Sequence, residues 1–141
     1  MKVGLEQYNV KLLLALLKSI AGRKDFFKLL AIGGYPELAA FSNAIRADVD
    51  AMKWLATNGF LWLAALSDAI DGVETARQWV KANLTEVNYH FALACREDVD
   101  SLLWLKKRDL EIFLMMAKEV HTVLDIQALE NAGPYVMHFG S

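Results

Sequence analysis

The chain lacks most of the residues that special chemistry needs. It has one cysteine, Cys95, in 141 residues, so no intrachain disulfide can form, and on that usage a cytoplasmic location is expected. Lys and Arg number 15 against 17 Asp and Glu, a net charge of −2, so the basic stripe that phosphate neutralisation needs is missing and no nucleic-acid partner is expected. No apolar run approaches the roughly 20 residues needed to cross a bilayer. The longest candidate, Leu12–Leu17, is bracketed by Lys11 and Lys18 and has no cleavage site after it, which argues against a membrane role and a signal peptide. Gly33-Gly34 is followed by Tyr-Pro-Glu, not by Lys-Ser/Thr, so it is no phosphate loop. Strand patterning is confined to the tail, Tyr135-Val-Met-His-Phe139, and there is neither a linker nor a low-complexity segment. The whole chain, 1–141, reads as one domain whose 55% apolar content is enough to bury a core.

What is present is a repeat. Trp54, Trp79 and Trp104 lie 25 residues apart, with Leu29 and Leu129 one period beyond at either end. Written in rows of 25, the chain gives five units: 13–37, 38–62, 63–87, 88–112 and 113–137. Row position 8 is apolar throughout: Ile20, Ile45, Ile70, Cys95, Val120. Position 18 reads Leu30, Leu55, Val80, Leu105 and then Glu130. The matching segments Arg46-Ala-Asp-Val-Asp50 and Arg96-Glu-Asp-Val-Asp100 stand two periods apart. Self-similarity at such a period marks a repeat architecture.

Each row holds two short helical patterns. Leu38, Phe41 and Ile45 share one helical face, and so do Ala51, Trp54 and Leu55. Asp48 and Asp98 stand between the patterns, where an N-cap oxygen can take an orphan backbone N–H; Asp50 and Asp100 suit the first turn. Gly33-Gly34, Asn58-Gly59, Asn83 and Gly133-Pro134 read as stops for the second helix. The fold expected is all-α: about five stacked helical hairpins, an α-solenoid whose units share a continuous core. The tryptophans are expected to be knobs between units, each costing on the order of 3–5 kcal/mol when cut to alanine. A stack exposes two end faces. Residues before 13 are expected to cover one, and Glu130 marks the last unit as a cap, with the apolar tail folding back on it.

Two segments carry a family resemblance. Leu63-Ala-Ala-Leu-Ser67 followed by Gly72-Val-Glu-Thr-Ala-Arg-Gln-Trp-Val-Lys-Ala-Asn83, and Leu38-Ala-Ala-Phe41 continued through Trp54-Leu-Ala-Thr-Asn-Gly59, resemble ankyrin repeats. The Thr-Pro-Leu-His start is absent, and the period is 25 against about 33, which leaves no room for the β-hairpin. The resemblance implies paired stacked helices and a protein partner, without hairpin-tip contacts.

Candidates for catalysis are few. His90 and Cys95 sit at row positions whose counterparts are apolar, and five residues apart they fit one helical face poorly. His121 and Asp125 are i, i+4 but lack further metal ligands. The aspartate pairs read as caps, not as a cation site. No catalytic residue, metal or cofactor is therefore expected. What remains is surface. Row positions 6 and 9 vary most in charge, and the candidate partner-binding stripe is Asn43, Arg46, Asp68, Asp71, Arg96 and His121. Such a stripe is either a solvated face or a recognition surface. The expected function is a non-catalytic protein-interaction module, monomeric or weakly self-associating. The alternatives are a small helical ligand-binding or enzymatic domain with a pocket near His90 and Cys95, or a fragment of a longer array.

Overall fold

The computed structural model describes the backbone of residues 1–140 and the side chains of residues 1–132. Among these residues there are nine α-helices: α1 (Val10–Ile20), α2 (Lys24–Ile32), α3 (Pro36–Ile45), α4 (Val49–Thr57), α5 (Leu61–Ile70), α6 (Glu74–Asn83), α7 (Glu86–Ala94), α8 (Val99–Lys107) and α9 (Glu111–Gly140). The even-numbered helices start at residues 24, 49, 74 and 99, and the odd-numbered ones from α3 onward at 36, 61, 86 and 111. Each odd helix thus begins about two residues before its sequence row.

The turns recur with the same period because they need the same backbone. Gly22, Ala47, Gly72 and Glu97 all have positive φ and end the odd helices. Glycine reaches that region at little cost, and Ala47 and Glu97 are held there by the turn around them. Asp48 then caps α4 by accepting from the N–H groups of Asp50 and Ala51, at 2.9 and 3.3 Å. Asp98 caps α8 through Ser101 N–H at 3.0 Å. The third unit has Val73 at the cap, which offers no oxygen, and Asp71 lies at the end of α5 instead.

The fifth unit departs from the expected hairpin. Residue 122 would have to take the positive-φ turn, but it is Thr122, a β-branched residue for which that conformation is costly. Residue 123 would have to cap the next helix, but it is Val123. With neither device present, α9 runs on as one helix through the expected turn and through Gly133-Pro134. The tail expected to be strand-like belongs to that helix, there being no neighbouring strand to complete its hydrogen bonds. The proposed fold-back of its apolar side chains lies outside the described residues.

The odd helices form the interior. α1 packs on α3, α3 on α5, α5 on α7, α7 on α9, and α9 returns to α1. The five therefore make a closed circuit, not an open row with two free faces. The even helices lie outside, each against two odd ones: α2 on α1 and α3, α4 on α3 and α5, α6 on α5 and α7, α8 on α7 and α9. The junction of α9 with α1 has no outer helix among the described residues. Leu14 and Met115, whose counterparts in other units are covered, are accordingly 38% and 50% exposed. Glu130 is exposed on α9 and covers no end face.

Row position 18, not position 17, supplies the buried knobs. Leu30, Leu55, Val80 and Leu105 are enclosed, whereas Trp54 and Trp79 are 36% and 37% exposed and Leu29 is largely exposed. The odd helices carry buried alanines: Ala39 and Ala44 on α3, Ala64 and Ala69 on α5, Ala92 and Ala94 on α7. Helices so lined approach closely, and the space left between a pair admits Leu or Val but not an indole. Trp54 instead lies flat on Phe60, centroids 6.1 Å apart.

The N-terminal segment, expected to cover an end face of an open stack, instead crosses from α1 to the start of α7. Val3 bridges to Leu84, and Thr85 N–H donates to Val3 O at 3.1 Å. A 3-10 turn, Leu5–Gln7, then buries Leu5 completely. Tyr8 ends the crossing, its hydroxyl donating to Glu37 Oε2 at 2.8 Å. That carboxylate and the burial push the Tyr8 phenol well above its usual range.

Candidate functional site

The edge carrying the odd-to-even turns collects five of the six stripe residues at or near helix ends. A helix leaves its last carbonyls without partners, and that end carries partial negative charge, so a cationic donor belongs there. Row position 9 supplies it from the following unit. Arg46 Nη1 donates to Ile20 O at 2.9 Å, and Arg96 Nε donates to Ile70 O at 2.9 Å. His121 Nδ1 meets Cys95 O at 3.1 Å. Each contact spans 26 residues, so one sequence register yields three identical staples between units.

Asp71 breaks the series, and a residue of α9 takes its place. A carboxylate cannot donate to Ile45 O, so that carbonyl would be left open. Gln127 fills the place, its Nε2 donating to Ile45 O at 3.1 Å from the straight extension of α9. Asp71 instead faces Arg96, with Nη2 4.0 Å away. Burial raises its pKa, and the nearby Arg96 offsets this only in part. Burial likewise raises Asp68. Sequence reading did not find Gln127, since nothing local ties residue 127 to residue 45.

Three clefts open along this edge, and the stripe residues line them. The first, about 400 Å³ between α2 and α3, holds Arg23, Lys24, Phe27, Lys28, Asn43 and Arg46. The second, about 540 Å³, holds Arg77 and Arg96 beside Glu97, Asp98 and Asp100. The third, about 450 Å³, holds His121 and Lys118 with Glu97 and apolar Val99, Leu102 and Leu114. Asp68 and Asp71 line none of the three.

His90 and Cys95 do not share a pocket. Cys95 is enclosed, and burial drives its thiol pKa upward, so it is a small apolar residue with little thiolate character. His90 lines a separate cleft of about 440 Å³ with Lys2, Lys81, Leu84, Glu86 and Tyr89. A serine, a histidine and an acid do come together here, which no sequence spacing revealed. His90 Nδ1 is 2.9 Å from Ser101 Oγ, and its Nε2 is 3.7 Å from Glu86 Oε1. Ser101 is fully buried, and the imidazole is stacked on Trp104 at 4.1 Å. A nucleophile must reach a reacting carbon, and this hydroxyl has no open side. The contact ties α7 to α8.

Burial lowers the His90 pKa below its ordinary value, more than the facing Glu86 raises it. The unfolded chain therefore binds this proton more readily. The stability due to neutral His90 is complete above the ordinary histidine value, about 6.5, and is lost as pH falls from there through the lower value of the folded chain. An NMR titration is expected to place the His90 midpoint below that of histidine in the denatured chain. A midpoint at or above it would contradict the packing described.

His121 also faces two carboxylates, Glu97 Oε1 at 2.7 Å and Asp125 Oδ2 at 3.2 Å. Among the described residues, no group of three or more His, Cys, Asp or Glu is placed to hold a metal ion. No helix among them is long and apolar enough to cross a membrane. No protein-family model matches the sequence, and no curated protein or solved structure is significantly similar to it.

Proposed function

We propose that this chain is a non-catalytic protein-interaction module that binds a protein partner along the turn edge. One observation carries the reading: Arg46 with Asn43, Arg96, and His121 each line one of three clefts near the odd-to-even turns of their units. Their side chains are already held by carbonyls of the preceding unit, so binding there loses little side-chain freedom. The enclosure of Cys95 and Ser101 also favours binding over nucleophilic chemistry. The likeness to ankyrin repeats is, on this reading, one of hairpin units joined in register, with a partner surface at the turns.

The experiment is affinity capture from native lysate followed by mass spectrometry, comparing the wild type with R46E/R96E. Thermal melts establish that the variant is folded. Loss of the captured proteins is expected. An unchanged set of captured proteins removes the edge as the binding site.

A second reading rests on the His90 cleft, whose Tyr89, Lys81 and Glu86 could hold a small polar ligand. A ligand that shifts the NMR signals of Tyr89 and His90 but leaves those of Arg46 and Arg96 unmoved would favour it.

A further inference from the structure

We propose that the cleft between α2 and α3 takes an acidic segment of the partner, with Lys24, Lys28 and Arg46 as the groups that hold its carboxylates. The inference rests on the interaction reading above and names its partner chemistry.

Four cationic side chains line this cleft, and no carboxylate does. The chain as a whole is net negative, so the local sign is opposite to the global one. A cleft lined by charge of one sign focuses its field and raises the local concentration of the opposite charge. The other two clefts of the edge do not do this, because Glu97, Asp98 and Asp100 stand beside the cations there.

The repeat shows why the first cleft differs. Arg96 has Asp71 one period before it, 4.0 Å from its guanidinium. One period before Arg46 the residue is Ala21. Among the described residues, Arg46 has no carboxylate within 4.0 Å, nor has Lys24 or Lys28. Arg23 is the exception, since Asp25 takes it at 2.8 Å from outside the cleft. Lys24 and Lys28 are four residues apart on α2 and so share a face. Arg46 is fixed through Nη1 on Ile20 O, which leaves its other donors free. Phe27 and Gly22 give the cleft an apolar, open wall on which the methylenes of Glu or Asp can rest.

Size selects the form of the ligand. A cavity of about 400 Å³ holds a few side chains, not a folded domain. An extended acidic stretch places carboxylates on three cations at once. A nucleic acid needs a basic track of several phosphate contacts, and the cleft at Arg96, two units on, carries Glu97, Asp98 and Asp100.

The test uses a fluorescein-labelled hexaglutamate peptide and fluorescence anisotropy on the full chain in low salt. K24E/K28E changes only exposed groups, and K106E/K107E makes the same charge change on α8, away from the cleft. The peptide is expected to bind, to weaken about tenfold or more with K24E/K28E, and to keep its affinity with K106E/K107E. Unlabelled peptide should displace the probe, and inorganic phosphate of equal charge should not. No binding, equal loss in both variants, or equal displacement by phosphate overturns the proposal. If the peptide fails while R46E/R96E still loses its captured partner, the acidic-segment proposal falls and the interaction reading stands. If the peptide binds as expected and R46E/R96E captures the same proteins, the interaction reading falls.

Discussion

Leu55→Ala is expected to cost about 3–4 kcal/mol, and Trp54→Ala, its neighbour and the larger side chain, only about 1–2 kcal/mol. Leu55 is fully buried on α4, which packs on α3 and α5. Removing its branch leaves a cavity that rigid, close-packed helices cannot collapse to fill. Trp54 keeps a wet face, and what it loses is its edge contacts and its stacking on Phe60, worth about 1 kcal/mol. Because whole domains are stable by only about 5–15 kcal/mol, the difference is large enough to read from denaturant midpoints. Urea unfolding of the two variants at unchanged m-value decides it. If Trp54→Ala proves as costly as Leu55→Ala, the tryptophan row is the core after all.

Asn88→Ala is expected to cost about 2–3 kcal/mol and to free the N-terminal segment. Asn88 is fully buried at the start of α7. Its Oδ1 accepts Leu5 N–H at 3.0 Å, and its Nδ2 donates to Thr85 O and Thr85 Oγ1 at 3.1 and 2.7 Å. No apolar residue can replace both roles, and a buried N–H left without a partner loses its water for nothing. Leu5, itself enclosed, depends on that bond to stay docked. Hydrogen exchange of the Leu5 amide should therefore accelerate in the variant far more than exchange in α3 or α5. Unchanged protection at Leu5 would show that apolar burial alone holds the segment.

The two cases divide what the chain reveals before it folds. The period of 25, the hairpins, the aspartate caps and the Gly33-Gly34 and Asn58-Gly59 stops all follow from local preferences. Each needs only residues within about one helical turn of one another. Row position 8 is legible as apolar for the same reason, and its residues are buried. Positions 17 and 18 are both apolar and adjacent, however, and periodicity alone cannot say which of two neighbours points inward. The width of the gap between alanine-lined helices decides that, and it is a property of two other units.

The candidate edge was legible in part. Charge variation at row positions 6 and 9 points to Arg46, Arg96 and His121, and each of these lines a cleft, whereas Asp68 and Asp71 line none of the three. That each also staples the preceding unit could not be read, since a carbonyl has no signature in sequence. That Arg46 has no carboxylate within 4.0 Å among the described residues, while Arg96 has Asp71, is likewise a matter of tertiary contact. His90 and Ser101 meet because α7 and α8 fold against each other; Ser101 is buried there, and Trp104 covers one face of the imidazole.

By itself, then, the sequence determined the helices, their turns and their period, because hydrogen bonds, caps and φ preferences act over a few residues. Only the tertiary structure decided that α9 returns to α1 and closes the circuit. The substitution of Gln127 for the donor that Asp71 cannot be was decided there too. Those contacts join residues more than 80 apart, and whether they form depends on the rotation accumulated from unit to unit. No single repeat encodes that sum.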